Sequence, residues 1–190
     1  MTKKDIIIFS APSGSGKTTI LKRLFELNPS ILDFSISATS RPKRKEEIEG
    51  KDYYFLSKQD FQTRQANGEF LESEEVYDGI WYGTLRSEID RVVANGKIIA
   101  FDVDVKGGIN IKKQFKERAV SIFIQPPSIE ELRRRLERRG TESKASIDSR
   151  IERAAMELAK SAEFDQVILN DNINDAVDEA QTIIERILQL

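Results

Sequence analysis

Apolar positions along the chain follow two periods. Ile6 to Phe9 is an unbroken β-branched and aromatic run, as in a strand covered on both faces. From Thr18 the period lengthens. Ile20, Leu21, Leu24, Phe25 and Leu27 take helical spacing until Asn28-Pro29 stops it. The runs IIAFDVD (98–104), VSIFI (120–124) and QVIL (166–169) predict further buried strands, each separated from the next by helical sequence. Strands at 6–9, 98–102, 120–124 and 166–169, alternating with helices, imply an α/β fold: a parallel sheet flanked by helices.

Between residues 34 and 83 the pattern changes. FSISATS (34–40) alternates apolar and small polar residues, and DYYFL (52–56) is β-prone, with the charged stretch RPKRKEEIEGK between them. KQDFQTRQANG predicts a short helix ended at Asn67-Gly68. TLRSEIDRVVANG predicts another, with Leu85, Ile89, Val92 and Val93 on one face and Asn95-Gly96 as its stop. This mostly β block reads as a lobe inserted into the sheet. Towards the end, PPSIEELRRRLERRG carries a capping box at Ser128 and Glu131. DAVDEAQTIIERILQL predicts an amphipathic helix with Ala176, Val177, Ala180, Ile183, Ile184, Ile187 and Leu188 inward.

Composition narrows the chemistry more than the fold. The 190 residues are enough for one well-buried core with an appended lobe. A net charge of -2 argues against a broad nucleic-acid surface but leaves room for a local basic cluster around one anion. No apolar run approaches the ~20 residues of a membrane span, and MTKKDIII is too short in its apolar part for a secretory signal, so the expected location is the cytoplasm. The chain has no Cys and no His. Disulfides, a thiolate nucleophile, a Cys/His zinc site and a Ser-His-Asp triad are therefore excluded. Lysine, arginine, carboxylates, hydroxyls, backbone amides and a hard metal ion remain, and phosphoryl transfer is the main reaction class with that inventory.

The segment IIIFSAPSGSGKTT supplies the site. APSGSGKT, residues 11–18, follows a strand and precedes a helix, with Gly14 inside it and Gly16-Lys17-Thr18 closing it. That is the context of a P-loop, whose successive N–H groups form an anion nest at a helix N-terminus. Ala11, Pro12, Ser13, Gly14, Ser15 and Gly16 would form the loop around a nucleoside triphosphate; Lys17 would reach its β and γ phosphates, and Thr18 would offer an oxygen to Mg²⁺. Ala11 stands where glycine is usual in the motif, so a negative φ is expected there, a methyl being ill-tolerated at positive φ.

Together with this loop, SISATSRPKRKEEIEGKDYYF (35–55), GEFLES (68–73), WYGT (81–84) and FDVDVKGG (101–108) resemble the guanylate kinase family, in order and over nearly the whole chain. The resemblance implies ATP + GMP giving ADP + GDP, with dGMP as a further acceptor, in purine nucleotide metabolism. It also implies a P-loop nucleoside monophosphate kinase fold with a GMP-binding lobe and a helical lid. The corresponding boundaries are a core of about 1–33, 84–127 and 156–190, a lobe of about 34–83 and a lid of about 128–155. Arg41, Arg44, Tyr53 and Tyr82 supply guanidinium forks and phenolic donors suited to a phosphate dianion. Glu72 can accept from both N1–H and the exocyclic amine of guanine, whereas adenine offers it an unprotonated N1. By resemblance Ser37, Thr84, Asp102 and Asp104 also border GMP, and Asn170 borders the adenine of ATP. Asp102, at the end of an apolar run, equally has the position of a carboxylate in the magnesium shell, and both roles stay open. Three departures lie in this region: the proline of Arg41-Pro42-Lys43-Arg44 sits one place early, Ser73 replaces an aromatic, and YDGIWYGT is one residue longer.

Arginines crowd the segment after Ser128. Arg133, Arg134 and Arg138 read as a salt-bridged surface, with Glu130–Arg134 and Glu131–Arg135 pairs. Arg135, Arg139 and Arg150 match the family's lid arginines. With Lys17 and Arg41 they form the expected catalytic set, Arg150 beginning the next helix. No general base is required, because the acceptor is already a phosphate oxygen. Two rival readings are a phosphopeptide-binding module without catalysis and a kinase for another nucleoside monophosphate. Lys17 with Thr18 argues against the first, and Glu72 against the second.

Overall fold

The computed structural model describes residues 4–77, 79–139 and 143–189. Strand β1 (Ile6–Ser10) is buried along its whole length at the centre of a five-stranded sheet. The strands on either side are β7 (Ile98–Asp102) and β8 (Ala119–Gln125), and the edges are β2 (Leu32–Phe34) and β9 (Gln166–Leu169). All neighbours are parallel. Each strand end therefore delivers its following loop to the same edge of the sheet, where open α/β sheets bind ligands.

The two faces explain why β1 is apolar without alternation. Ile7 and Phe9 pack against α1 (Lys17–Leu27) and α7 (Ile173–Leu188), through Ile20, Leu21 and Leu24 and through Ala176, Val177, Ala180, Ile183, Ile184 and Ile187. Ile6 and Ile8 face the other way, onto Ile89 and Val92 of α3 (Ser87–Ala94) and Ile111 of α4 (Val105–Phe115). Each such side chain contributes roughly 1.5–3 kcal/mol by leaving water. Leu188, expected inward, is 47% exposed, and Leu27 also faces solvent. Helix α7 begins two residues before the predicted start, where the Asn172 side chain caps Asn174 N.

The inserted region forms a four-stranded sheet in the order β4-β3-β6-β5: β3 (Ser37–Thr39), β4 (Tyr54–Phe55), β5 (Phe70–Tyr77) and β6 (Ile80–Leu85). Helix α2 (Lys58–Ala66) packs on it through Phe61, stacked on Phe70. The alternating stretch 34–40 is not one strand. Phe34 ends β2 in the core sheet and Ser37 begins β3 in the second sheet, because the chain crosses between sheets at Ser35-Ile36. Glu88, buried at the start of α3, holds that crossing by accepting from Ile36 N at 2.6 Å and from the Tyr54 hydroxyl at 2.8 Å. Leu85, expected on a helix, ends strand β6 and packs with Ala38, Phe61 and Phe70. A register shift between Glu75 and Tyr77 absorbs a residue in the long hairpin.

Helix α5 (Ile129–Arg139) starts where the capping box places it, Glu131 N donating to Ser128 Oγ at 3.1 Å. Helix α6 (Lys144–Leu158) is capped by Ser143, so Arg150 lies well inside the helix and does not begin it. Leu132, Leu136, Ile147, Ile151 and Ala154 zip these two helices together.

Candidate active site

Between β1 and α1 the chain turns through Gly14 at φ 94° and Gly16 at φ 92°, a region closed to most side chains. Space adds a second constraint: a Cβ on Gly16 would stand 2.3 Å from Asn170 Nδ2, and one on Gly14 would stand 3.0 Å from Leu132 Cδ1. Ala11 is buried and, as expected, lies outside the positive-φ region. Ser13 is exposed at the rim, and Pro12 O closes the turn by accepting from Ser15 N at 3.1 Å. Ser15 Oγ is buried and has no hydrogen-bond partner among the described residues. Asn170 is 3% exposed and grips the loop from below, Nδ2 donating to Ser15 O at 2.6 Å. Its own carbonyl accepts from Arg135 Nη2 at 3.0 Å.

Lys17 opens α1 and extends across the end of the sheet. Its Nζ pairs with Asp102 and donates to Val103 O at 2.9 Å. Thr18, one residue on, is exposed to the same cleft. That cleft has a volume of about 570 Å³ and is walled by the P-loop, Asp102, Asp104, Arg150 and Arg153. Arg150 Nη1 donates to Ser13 Oγ at 3.1 Å. Arg135 Nε donates to Glu131 Oε1 at 2.8 Å, which with Arg134 holds that carboxyl below its usual range. Arg138, read as surface, lines a shallow cleft with Gly14, Gly16 and Arg135, while Arg133 pairs with Asp148 and Arg134 with Glu131. Arg139 closes α5, and its side chain lies outside the described residues.

The second sheet assembles the other cluster by register. Ser37 on β3 lies opposite Thr84 on β6, and Thr84 opposite Glu72 on β5, so the three share one row. The next row is Thr39, Tyr82 and Glu74. Thr84 Oγ1 donates to Glu72 Oε1 at 2.7 Å. Burial pushes the Glu72 carboxyl above its ordinary range, and the nearby Asp104 and Glu74 add to this.

Arg41 is only 10% exposed at its side chain. Its Nε donates to Tyr82 Oη at 3.2 Å and its Nη1 to Pro42 O at 3.1 Å. The remaining fork grips Glu47, whose carboxyl this hydrogen bond draws down to about 2. The Tyr53 ring lies under the Arg41 guanidinium at 5.0 Å and meets Tyr82 edge-on. Arg44 is exposed, with its backbone N–H on Glu47 Oε2 at 2.8 Å.

Asp104 joins the two clusters. Its Oδ1 caps α4 by accepting from Gly107 N at 2.7 Å, and its Oδ2 accepts from Arg153 Nη2 at 3.3 Å. Sequence reasoning missed Glu47, Glu74 and Arg153. A signal existed for Arg153 alone: it follows Arg150 by one helical turn and shares its face.

Comparison with known proteins matches this architecture. The family model for guanylate kinase matches residues 3–187. A guanylate kinase of Bacteroides fragilis is 53% identical over 185 residues, spanning 96% of this chain and 89% of that protein. One from Salinibacter ruber is 44% identical over 188 residues, 99% of both chains. The crystal structure of guanylate kinase from Anaplasma phagocytophilum superposes with a TM-score of 0.73 at 33% identity, covering 98% of this chain and 87% of that one. A glycine nest with Lys17 at the end of a parallel sheet, faced by a register-built row of polar side chains on an inserted sheet, thus comes with full-length sequence likeness, and the chain belongs to the guanylate kinase family.

Proposed function

We propose that this cleft performs the reaction of its family, ATP-dependent phosphorylation of GMP to GDP, with the P-loop as donor site and the inner face of the second sheet as acceptor site. The observation that carries the reading is the juxtaposition of the two sites: the cleft of the anion nest with Lys17 and the cleft of the row Ser37–Thr84–Glu72 meet at Asp104. On the donor side, backbone N–H groups from residues 13–18 hold the β and γ phosphates, and Lys17 follows the charge of the transferring group. Asn170 keeps the loop in its nest conformation. On the acceptor side, Arg41, Arg44, Tyr53 and Tyr82 hold the GMP phosphate, with Arg41 fixed by Glu47. Glu72, Ser37, Thr84 and Asp104 read the guanine.

Arg135, Arg139 and Arg150 belong to the lid formed by α5 and α6, whose closure expels water and brings positive charge to the transferring phosphoryl group. The acceptor oxygen is already anionic, so positioning and electrostatics carry the catalysis and no side chain has to remove a proton. dGMP is an expected second acceptor, because guanine and phosphate are the parts gripped.

The donors fit Mg²⁺. Thr18 and Asp102 offer hard oxygens on the same cleft, and no group of three or more carboxylates among the described residues is arranged to hold a metal by itself. Magnesium is commonly bound in this way, through one or two protein oxygens plus substrate phosphates. Its role there is to neutralise charge between the phosphates. No helix among the described residues is long and apolar enough to cross a membrane. ADP release coupled to a colour reaction, with GMP, dGMP, AMP and UMP as acceptors, tests the reading. Turnover with GMP and dGMP supports it, and background rates with both overturn it.

A further inference from the structure

Arg153 stands where three elements meet. It lies on α6 and lines the main cleft. Its Nε donates to Glu157 Oε1 at 2.8 Å, which fixes the guanidinium plane against its own helix. Its Nη2 reaches off the helix to Asp104 Oδ2 at 3.3 Å. An ordinary i,i+4 surface pair accounts for the first contact but not for the second.

Asp104 cannot follow a moving partner, because its other oxygen caps α4 on the core at 2.7 Å. Glu74, from β5 of the second sheet, lines an adjoining cleft together with Asp104, and burial and Asp104 push its carboxyl above its ordinary range. Glu74 shares its row with Tyr82 and follows Glu72 by two residues on the same strand, so it faces the acceptor side. A lid cation therefore pairs with a core carboxylate, Asp104, that shares a cleft with the lobe carboxylate Glu74; after Glu157, both favour its charged form.

We infer that Arg153 is a positioning residue for the acceptor, tying lid helix α6 to the Asp104–Glu74 pair so that closure of the lid and closure of the lobe over GMP are coupled. This rests on the acceptor reading of the inner face. The Arg153 side chain is 57% exposed, and such a pair adds little to global stability. Between bodies that move relative to one another, the same small free energy acts in full on the open–closed equilibrium.

Steady-state kinetics of Arg153→Met, which keeps most of the stem and removes the charge, test the inference. The KM for GMP is expected to rise about fivefold, the worth of a good exposed pair, with kcat and the KM for ATP within about twofold. Arg153→Lys is expected to recover most of the loss. Adding Glu74→Gln to Arg153→Met is expected to recover part of it, because the like charge that Arg153 offsets is gone. Calorimetric titration with GMP reads the same shift without turnover. An unchanged KM for GMP would make Arg153 a surface ion pair. A fall in kcat beyond about tenfold at constant KM would place it on the transferring group. A parallel rise in both KM values would reduce it to general cleft charge. Each of these outcomes overturns the coupling. Wild-type turnover with GMP separates the two levels: without it the acceptor reading fails, and with it a silent Arg153→Met removes the coupling alone.

Discussion

The two nucleotide sites proposed for this chain are built from different material. The donor site is main chain: the six residues between β1 and α1 with the first two of α1, shaped by two positive-φ glycines and clamped by one asparagine. The acceptor site is side chain: Ser37, Arg41, Tyr53, Glu72, Tyr82, Thr84 and Asp104 come from five separate segments and meet only through strand register and a helix cap. Backbone amides recognise phosphate and are indifferent to the base beyond it. A buried carboxylate paired with a hydroxyl recognises one purine edge. The contrast teaches that specificity resides in the second sheet and chemistry in the first, so the two should fail separately.

The largest separation is expected from Lys17→Ala. It removes the lysine charge proposed to follow the donor phosphates, and kcat is expected to fall about 10²–10³-fold or more. The side chain faces the cleft, so the melting temperature should hardly move, and calorimetry beside the kinetics checks both parts. Next comes Glu72→Gln, expected to lower kcat/KM for GMP about 10²-fold while sparing the KM for ATP, because a neutral amide cannot accept from both guanine donors. Its acceptor profile should flatten at the same time.

The sign of the Glu72 shift gives a milder, continuous version of that test. A carboxyl whose pKa is raised by burial takes up its proton at a higher pH than an ordinary glutamate. The KM for GMP should therefore climb on acidification before the usual carboxylate range near 4.5 is reached, while the KM for ATP stays level. Its contribution to folding has the matching sign: relative to an ordinary Glu, the buried ionised form costs stability as pH rises through the folded pKa. Glu47 has the opposite sign. Its fork with Arg41 contributes stability above the unfolded value near 4.5, which is lost as pH falls towards about 2.

Smaller effects sharpen the comparison. Asn170→Ala leaves the Ser15 carbonyl without its buried donor and should cost about 1–3 kcal/mol. In a chain of this size that lowers the melting temperature by a few degrees, about 2–4 °C per kcal/mol. The accompanying kinetic defect should appear in the KM for ATP. Glu47→Gln is expected to do the least, raising the KM for GMP by about two- to fivefold as Arg41 loses its charge-assisted fork.

The same contrast governs what could be read from the sequence. The P-loop is legible because strand, turn and helix are contiguous, so local pattern alone places Lys17 and Thr18. Strands β1, β7 and β8 are legible because burial on both faces removes polar residues from them, whereas β9, expected to be buried, exposes Val167 and Leu169 at the sheet edge. The acceptor residues are legible only as a set, through family likeness, since nothing local to Glu72 distinguishes it from Glu69, Glu74 or Glu75. Glu74 and Arg153 escaped because their partners come from other elements, and Glu47 because the course of its own irregular loop brings it to Arg41 six residues earlier. The single alternating stretch from Phe34 to Ser40 concealed a passage between two sheets, because period-2 alternation continues through Ser35-Ile36 while the backbone pairing does not. Glu88, which holds that passage, is a buried carboxylate among helix residues and carries no sequence signal of its role.

Initial rates with GMP, AMP and UMP at fixed ATP and Mg²⁺ test the central claim most directly. In the wild type kcat/KM for GMP is expected to exceed that for AMP by about 10³–10⁴-fold, with most of that margin lost in Glu72→Gln. AMP or UMP turned over within about tenfold of GMP, or a Glu72→Gln enzyme as selective as the wild type, would contradict it.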